Sequence, residues 1–311
     1  MKNAAGPVTN EPCNYCLVTV TTENYVQWTL TMIYSFLTSN GWFKGDIIVV
    51  CHGLDDKIKS RFSVFPNLRF VAPSGILLEK VAELCLQIPG FAKLASLFYS
   101  LEIFNPRGYE KVLFLDSDML VVKSVEEVFE FEEPFYASAE SCWYQGNGRR
   151  TDTYESVKSF PDPGLFIENP VNSGFMVIDR QCINTPNYNG LVDLIDPGLW
   201  ARRNTFHADQ LVINLFFKDR IRLVDARYNF RPTNASEIFT RDHIALEDAK
   251  IIHYFRQFKP WNFLEVFELS QYNMLHIKAF QQWYNGYVGM LKYTHLQNAI
   301  HLFQENDKTG S

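Results

Sequence analysis

The chain has 311 residues, of which 47% are hydrophobic and 21% are charged, the balance of an ordinary globular protein. This length corresponds to one or two domains with a sizeable core. The net charge of −6 and the lack of any lysine- and arginine-rich block argue against a nucleic acid or an anionic membrane surface as the main partner.

The cysteines and the apolar runs bear on the compartment. Six cysteines are too few and too scattered for a disulfide scaffold. Cys13 and Cys16 form a C-x-x-C motif, but no second pair completes a zinc site and no predicted helix begins where a redox pair needs one. The first residues lack the apolar core of a signal peptide, and no apolar run approaches the about 18 residues of a transmembrane helix. We therefore expect reduced thiols, no transmembrane segment and a cytoplasmic location.

The first half of the chain alternates between apolar strands and amphipathic helices. The predicted strands cover residues 15–20, 46–51, 68–72 and 112–115, and the predicted helices cover residues 25–38, 55–62 and 91–104. Strands that alternate with helices are typical of a doubly wound parallel sheet. The pattern therefore predicts an α/β fold.

Two acids follow the fourth predicted strand. Its apolar run over residues 112–115 ends in Asp116, Ser117 and Asp118, and a second apolar run over residues 119–122 follows at once. Residues i and i+2 of an extended chain point to the same side, so the two carboxylates should project together. Ligands of open α/β sheets bind beyond the carboxyl ends of the strands, and paired carboxylates suit Mg²⁺ or Mn²⁺. We predict a metal site here, against the alternative of a polar turn between two strands.

The chain lacks the glycine-rich phosphate loops of many nucleotide-binding sheets. It has no G-x-x-x-x-G-K-[ST] motif, and its one G-x-G, from Gly146 to Gly148, lies in a polar segment rather than after a strand. The end of the first strand, from Val20 through Thr22 to Tyr25, instead offers hydroxyls, an amide and an aromatic ring for a base and ribose. Helix capping by Thr22, with Tyr25 in the core, is the alternative.

A long polar segment, residues 140–170, opens the second half. It is rich in glycine and proline and has no convincing period. Loops of this length inside a compact domain are usually functional or disordered. We expect it to be a mobile cover over the site that contacts the acceptor, with Arg149 and Arg150 either reaching an anionic group or lying solvated at its tip.

Polar residues mark the elements beyond this segment. Asn172, Ser173 and Gly174 lead into a predicted strand, and Asp209 and Gln210 begin an apolar helix, where capping is the alternative role. The predicted elements here are strands over residues 175–178, 221–224 and 250–255 and helices over residues 207–217 and 263–303. The last of these strands carries a single histidine, a residue that is more often structural than a metal ligand in such a position.

Four motifs follow one another along the chain. They are D-S-D at residues 116–118, N-S-G at 172–174, D-Q at 209–210 and H-Y-F-R-Q-F-K-P-W at 253–261. In this order and spacing they resemble the motifs of family 8 glycosyltransferases of the GT-A fold, the group that includes glycogenins. The opening V-T-V-T-T at residues 18–22 matches as well.

This resemblance implies a GT-A fold, with a doubly wound, mostly parallel central sheet, flanking helices and a helical C-terminal tail. The implied parts are an N-terminal tail over residues 1–14, a catalytic domain over 15–261 and a helical extension over 262–311. We expect the extension to pack on the domain or to form a homodimer. Within the catalytic domain, a nucleotide-binding half over about 15–123 would precede an acceptor half over about 124–261.

The resemblance also implies roles for single residues. Asp116, Asp118 and His253 would bind Mn²⁺, with Mg²⁺ as the alternative ion, and Lys259 would contact the donor diphosphate. The residues implied to border the nucleotide or the donor sugar are Val20, Thr22, Tyr25, Lys93, Ser117, Asn172 and Ser173. The residues implied to be catalytic are Asp209, Gln210 and Lys259.

The implied reaction is the retaining transfer of a hexose or pentose from a nucleotide sugar, expected to be a UDP-sugar. Retention in two steps needs a carboxylate nucleophile, for which Asp209 is the candidate, and a front-face reaction would place Gln210 along the attacking face. Because a metal-bound histidine must be unprotonated, activity should fall as the pH drops through about 6.5.

One departure from the family concerns the acceptor. Glycogenins glucosylate a tyrosine of their own in this region, but residues 229–252 contain none. The acceptor is therefore expected to be a separate glycan, protein, polyol or lipid-linked sugar.

Two other protein classes compete with the interpretation as a glycosyltransferase. A sugar nucleotidyltransferase should carry a glycine-rich loop after its first strand, and a nucleotide-sugar-binding module without activity should lack a metal ligand.

Overall fold

The computed structural model describes residues 14–144, 170–201, 207–255, 258–262, 268 and 273–309. Its strands are β1 (Tyr15–Val20), β2 (Asp46–Val50), β3 (Leu68–Val71), β4 (Lys111–Leu115), β5 (Met119–Val121), β6 (Phe135–Ala139), β7 (Val171–Asp179), β8 (Arg222–Val224) and β9 (Ile251–His253). Its α-helices are α1 (Val26–Ser39), α2 (Asp56–Lys59), α3 (Gly75–Gln87), α4 (Ser141–Tyr144), α5 (Thr185–Asp193), α6 (Pro197–Trp200), α7 (Ala208–Phe217), α8 (Ala235–Asp242) and α9 (Met274–Thr309). The 3₁₀ helices are Glu23–Tyr25, Ser60–Phe62, Pro89–Phe104, Glu126–Glu130, Lys218–Arg220, Ala226–Tyr228, Pro232–Asn234 and Leu246–Asp248.

The central sheet has its described strands in the order β3-β2-β1-β4-β7-β6-β8. Strands β1 to β4 run parallel, β7 runs antiparallel to its neighbours β4 and β6, and β8 pairs with β6 in parallel. A separate antiparallel pair joins β5 to β9. The predicted doubly wound, mostly parallel sheet is therefore confirmed, and β7 is its reversed strand.

The central strands are apolar on both faces because helices cover both. In β4, Val112 and Phe114 face one hydrophobic core, and Leu113 and Leu115 face the other. The first core includes the 3₁₀ helix Pro89–Phe104 and α7, and the second includes α1. Double coverage of this kind is typical of parallel sheets. It explains why these strands are unbroken apolar runs in the sequence.

Two contacts of the fold place the strand-end acids. Asp116 directly follows β4, and its N–H donates to the carbonyl of Gly174 in β7 at 2.9 Å. The pairing of β5 with β9 brings His253 alongside, where the N–H of Tyr254 donates to the carbonyl of Asp118 at 3.1 Å. The strand that carries the histidine is therefore docked directly beside the acids.

Several helices differ from the sequence prediction, which contains no helix over α3, α4, α5, α6 or α8. The prediction lacks α3, although Ser74 caps this helix by accepting a hydrogen bond from the N–H of Leu77 at 3.2 Å. The segment predicted as an α-helix over residues 91–104 forms a 3₁₀ helix that begins at Pro89. The helix predicted over residues 263–303 has its long described part in α9, which begins at Met274 and continues to Thr309.

The C-terminal helix α9 packs against α1 and the β5–β9 pair. Ala279, Trp283 and Met290 are buried, and Gly286 and Gly289 lie against Leu120 and Tyr34. Large apolar side chains stay exposed along it, namely Met274, Ile277, Tyr284, Leu291, Leu296 and Ile300. A homodimer through this helix stays a prediction, as does the division of the chain at residue 261. None of the described helices is both long enough and apolar enough to span a bilayer.

Four of the cysteines are free thiols. They are Cys16, Cys51, Cys85 and Cys182. Burial raises the pKa of Cys16, so this member of the C-x-x-C motif is held as an unreactive thiol. Cys13, the other member, lies outside the described residues.

Candidate active site

A cavity of about 510 Å³ opens where β1 and β4 end, at the edge at which open α/β sheets bind ligands. It is lined by every residue to which the family resemblance assigns a role, namely Val20, Thr22, Tyr25, Lys93, Asp116, Ser117, Asp118, Asn172, Ser173, Asp209, Gln210, His253 and Lys259. The structure thus brings these residues together, and their individual roles stay predictions.

The predicted nucleotide end of the cavity is formed by the segment after β1. Oγ of Ser117 donates to the carbonyl of Val20 at 3.0 Å, which ties the acidic turn to this segment. Thr22 precedes a 3₁₀ helix and makes no capping hydrogen bond. Tyr25 is half-buried and meets the ring of Trp261 edge-on at 5.8 Å. Thr22 therefore does not cap the helix through its side chain, and Tyr25 lies at the edge of the core, where it also lines the cavity.

Asp116, Asp118 and His253 form a cluster whose ligand atoms all lie within 4.8 Å of one another. Nε2 of His253 is 3.1 Å from Oδ1 of Asp118 and 3.9 Å from Oδ2 of Asp116. Oδ1 of Asp118 is buried, and its polar neighbour among the described residues is the imidazole of His253, so its lone pairs can bind a cation. Two carboxylates and an imidazole form a donor set that fits Mn²⁺ or Mg²⁺.

The charges in this cluster are strongly coupled. Burial raises the pKa of Asp116, and the carboxylates of Asp118 and Asp209 raise it further. Burial acts in the same direction on Asp118, but Lys259 and His253 outweigh it and hold the pKa of Asp118 below its ordinary value. Burial lowers the pKa of His253, which favours the neutral imidazole. Because the two acids repel each other, added positive charge is needed to ionise both.

Lys259 supplies one positive charge to the site. Its Nζ pairs with Oδ2 of Asp118, and this carboxylate outweighs burial and raises the pKa of the lysine. Two residues further along, Trp261 stacks on Trp28 of α1 with a centroid distance of 4.3 Å and an angle of 6° between the rings. The segment that carries the lysine is therefore anchored to the body of the domain.

Asp209 and Gln210 lie in the first turn of α7 and point their side chains into the cavity. Oδ2 of Asp209 accepts a hydrogen bond from Oγ of Ser100 at 2.7 Å, and burial raises the pKa of this carboxyl. Nε2 of Gln210 donates to Glu140 at 2.8 Å, and its Oε1 accepts from Nδ2 of Asn172 at 3.1 Å. The carboxylate and the amide are thus held in place beside the metal cluster.

One family model matches most of this chain. It is described as Glycosyl transferase family 8, and the match covers residues 16–265. The chain belongs to glycosyl transferase family 8. The family inferred from the four sequence motifs is thereby confirmed.

Individual family members share a quarter or so of their sequence with this chain. Galactinol synthase 5 of Arabidopsis thaliana is 24% identical over 182 residues, which make up 55% of this chain and 52% of that protein. Lipopolysaccharide 1,3-galactosyltransferase of Salmonella typhimurium is 27% identical over 179 residues, which make up 56% of this chain and 50% of that protein. The chain spans about half the length of these two curated relatives.

A solved structure shows the same family 8 fold. The galactosyltransferase LgtC, crystallised with donor and acceptor sugar analogs, superposes with a TM-score of 0.66 at 16% sequence identity. The superposition covers 88% of this chain and 95% of that chain. The predicted GT-A fold is therefore confirmed.

Glu140 also contacts residues of this site, although no sequence motif marks it. Its side chain is fully buried and accepts hydrogen bonds from Nδ2 of Asn172 at 3.1 Å and from Nε2 of Gln210 at 2.8 Å. It therefore holds two residues of the predicted sugar site. The signal that could have identified it is its place directly after β6, since Asp116 follows β4 in the same way.

The predicted cover over residues 140–170 is described only at its ends. Residues 145–169 lie outside the described residues. The N–H of Glu140 donates to the carbonyl of Pro170 at 2.9 Å, so the two ends of the segment meet beside the cavity. Whether the segment covers the site stays a prediction.

Gly174 lies where the backbone passes close to the cluster of Asp116, Asp118 and His253. A Cβ atom there would be 2.8 Å from Cε1 of His253 and 2.9 Å from both Oδ1 of Asn172 and Oδ2 of Asp116. These groups would have to move, so we expect Gly174→Ala to weaken Mn²⁺ binding by about 10-fold or more. The control is Gly75→Ala, where nothing lies within 4 Å of the added atom. Titration of Mn²⁺ tests this, and an unchanged Kd for Gly174→Ala would contradict it.

Proposed function

We propose that this protein is a metal-dependent, retaining glycosyltransferase that moves a hexose or pentose from a nucleotide sugar to a separate acceptor. One observation carries the proposal: in this family 8 chain, Lys259 lines the same cavity as the cluster of Asp116, Asp118 and His253 and pairs with Asp118. Transfer from a nucleotide sugar expels a nucleoside diphosphate, so positive charge is required where these groups meet.

Asp116, Asp118 and His253 would hold the divalent ion. Mn²⁺ is the first choice and Mg²⁺ the alternative, because Mg²⁺ prefers oxygen ligands and dehydrates reluctantly while one ligand here is an imidazole. When bound, such an ion supplies Lewis-acid stabilisation of the charge that develops on the departing diphosphate. Lys259, which pairs with Oδ2 of Asp118, would contribute a second positive charge to the oxygens of the departing diphosphate.

Retention of configuration has two candidate routes at this site. In a two-step reaction, the carboxylate of Asp209 would attack the anomeric carbon and expel the nucleoside diphosphate, and this step forms a glycosyl ester. The acceptor hydroxyl would then attack the same carbon and release the carboxylate. In a front-face reaction, the acceptor attacks on the side that the diphosphate leaves, and Gln210 would line that face. Glu140 and Asn172 hold the Gln210 amide in a fixed orientation, which suits this positioning role.

The relatives limit the choice of donor sugar, and the sequence limits the choice of acceptor. We propose a UDP-sugar as donor and UDP-galactose as the first to test, because the Salmonella relative is by name a galactosyltransferase. A separate glycan, polyol, protein or lipid-linked sugar is proposed as acceptor, since residues 229–252 lack the self-glucosylated tyrosine of glycogenins. The cytoplasmic location expected from the sequence stays a prediction.

The pH dependence should reflect the burial of His253. Burial lowers the pKa of His253 from its ordinary value of about 6.5, so the neutral, metal-binding imidazole persists below that pH. The expectation from the sequence, that activity falls as the pH drops through about 6.5, rests on the ordinary histidine pKa. With the lowered pKa we instead expect kcat/KM at saturating Mn²⁺ to stay level through about 6.5 and to decline only in more acidic solution. A pH profile measures this, and a half-loss centred near 6.5 would mean that His253 titrates as an exposed histidine.

One assay separates the proposed function from its two rivals. Purified protein is incubated with Mn²⁺, each of several UDP-sugars and an acceptor panel, and UDP release and the anomeric form of the product are measured. Metal-dependent release with a retained product supports the proposal. Binding of UDP-sugar with no turnover, with or without metal, would identify a binding module. A parallel incubation of UDP-sugar with added pyrophosphate that yields UTP and sugar 1-phosphate would identify a sugar nucleotidyltransferase.

A further inference from the structure

A buried asparagine contacts the ring nitrogen of His253 that faces away from the acids. Its Nδ1 lies 2.9 Å from Oδ1 of Asn229, while its Nε2 points at the acids and lies 3.1 Å from Oδ1 of Asp118. His253 is 2% exposed and Asn229 is 1% exposed. Bulk water therefore does not compete for either nitrogen, and these contacts decide which one carries the proton.

A series of hydrogen bonds fixes which atom of Asn229 faces the ring. The backbone N–H of Gly174 donates to Oδ1 of Asn172 at 3.1 Å, which sets the orientation of that amide. Nδ2 of Asn229 donates to the same oxygen at 2.8 Å and to Oγ of Ser138 at 2.6 Å. A reversed Asn229 amide would set its oxygen against the oxygen of Asn172, so the Asn229 oxygen must face His253.

This orientation determines the tautomer of the histidine. Oδ1 of Asn229 and the carboxylate of Asp118 can both only accept, at Nδ1 and Nε2 respectively. Because Oδ1 of Asn229 is the closer acceptor, at 2.9 Å against 3.1 Å, it favours the ring with the proton on Nδ1 and the lone pair on Nε2. Without that acceptor, the proton would be better placed on Nε2, where it could bond to the carboxylate of Asp118. A proton there would occupy the lone pair that a metal ion needs.

The main chain fixes the distance between Asn229 and the ring. Phe230, the next residue, forms a parallel bridge with Ile252 of β9. The N–H of Phe230 donates to the carbonyl of Ile251 at 2.9 Å, and the N–H of His253 donates to the carbonyl of Phe230 at 2.8 Å. The asparagine and the histidine are thus carried on two paired pieces of backbone.

We propose that Asn229 is a positioning residue, which holds His253 in the Nδ1–H form and so presents a bare Nε2 to the metal ion. The proposal rests on the metal-dependent function argued above. Outer hydrogen-bond partners of this kind typically change metal affinity by about 10- to 100-fold when they are removed. The same loss is expected for Asn229→Ala.

The first test uses the wild-type protein without metal and needs no Asn229 variant to fold. The chain has 7 histidines, which are labelled with ¹⁵N, and His253→Ala assigns the signal of His253. We expect the ring nitrogen shifts to report a protonated Nδ1 and an unprotonated Nε2. A neutral ring protonated on Nε2 would overturn the proposal.

The second test compares the Kd of Mn²⁺, followed by the EPR signal of the free ion, with and without UDP. Asn40→Ala is the matched control, because Asn40 is also 1% exposed and its amide bonds to Phe36 and Val125, away from the cavity. We expect Asn229→Ala to raise the Kd by about 10- to 100-fold and to move the ring proton to Nε2, and we expect Asn40→Ala to change neither.

The outcomes of the second test distinguish the two proposals. Equal Mn²⁺ affinity of the wild type and Asn229→Ala would overturn the role of Asn229 alone, leaving the metal-dependent function intact. A wild-type protein that binds no Mn²⁺, even with UDP, would overturn the metal-dependent function and the role of Asn229 with it.

Discussion

Asp118→Asn is expected to lower kcat/KM for metal-dependent turnover of a UDP-sugar by about 10²-fold or more, the range seen when one preorganised electrostatic stabiliser is lost. Asp118 is where the charges of the site meet. Its Oδ1 lies 3.1 Å from Nε2 of His253, and its Oδ2 pairs with Nζ of Lys259. Asparagine keeps the shape of the side chain but not its negative charge, so the metal site and the anchor of the lysine are weakened together.

His253→Ala should cause a loss of similar size, because it removes the nitrogen ligand from the cluster. Asp179→Asn is the control. Asp179 also ends a strand, β7, but its backbone lies opposite that of Lys111, at the end of β4 away from Asp116. Its side chain accepts a hydrogen bond from the N–H of Gln181. Initial rates with and without Mn²⁺, together with thermal unfolding of each variant, separate lost chemistry from lost folding. Full activity of Asp118→Asn, or of the wild type in excess chelator, would refute the metal assignment.

Lys259→Ala is expected to lower kcat by about 10²-fold or more. The side chain of Lys259 is 14% exposed and lies beside Asp118, whose charge raises the pKa of the ammonium and keeps it protonated at neutral pH. A fixed positive charge in this position would act on the diphosphate as it departs. Because that charge develops only in the transition state, its stabilisation affects kcat, whereas uniform binding of the donor affects KM alone.

Lys250→Ala is a closely matched control for this variant. Lys250 also pairs with a carboxylate, that of Glu127, and its Nζ lies 5.7 Å from the ring centroid of Tyr228, as Nζ of Lys259 lies 5.6 Å from that of Trp261. It is not among the residues that line the cavity. Steady-state kinetics at saturating acceptor give both constants. A raised KM with unchanged kcat in Lys259→Ala would mean that the lysine only binds the donor.

The acids are the part of the site that could be predicted most directly from the sequence. Asp116 and Asp118 end an unbroken apolar run, and such a run marks both a buried strand and the edge where ligands bind. His253 has no comparable signal, because β9 has three residues and pairs with a strand far away in the chain. Its selection depended on the family resemblance, and only the structure supplies the pairing that brings it to the acids.

Glu140 and Asn229 illustrate two different reasons for a missed residue. Glu140 follows a strand and fits the same pattern as Asp116, but the long polar segment that begins with it obscures that position. Asn229 lies between a 3₁₀ turn and an isolated bridge, where the sequence has no period to interpret. A buried amide of this kind can be recognised only from the hydrogen bonds around it.

The fold class of the sheet could be predicted from the sequence, but the direction of each strand could not. A strand that is covered on both faces has the same apolar composition whether it runs with its neighbours or against them. The sequence of β7 therefore contains no signal for its reversal. The helix α3 is a different case, since Ser74 and the apolar positions of that segment carry the usual helix signals and the prediction did not use them.

The groups around Asp118 come from distant parts of the chain, and Lys259 is 141 residues away from it in sequence. They are brought together by the β5–β9 pair, in which Met119 lies opposite His253 and each strand has three residues. Bringing the two ends of so long a segment together costs chain entropy, and the few backbone hydrogen bonds of this short strand pair offset little of that cost. A metal ion shared by Asp118 and His253 would act as a cross-link across this closure, adding its binding free energy to that of folding. A nascent chain would gain this stabilisation only after β9 has been synthesised.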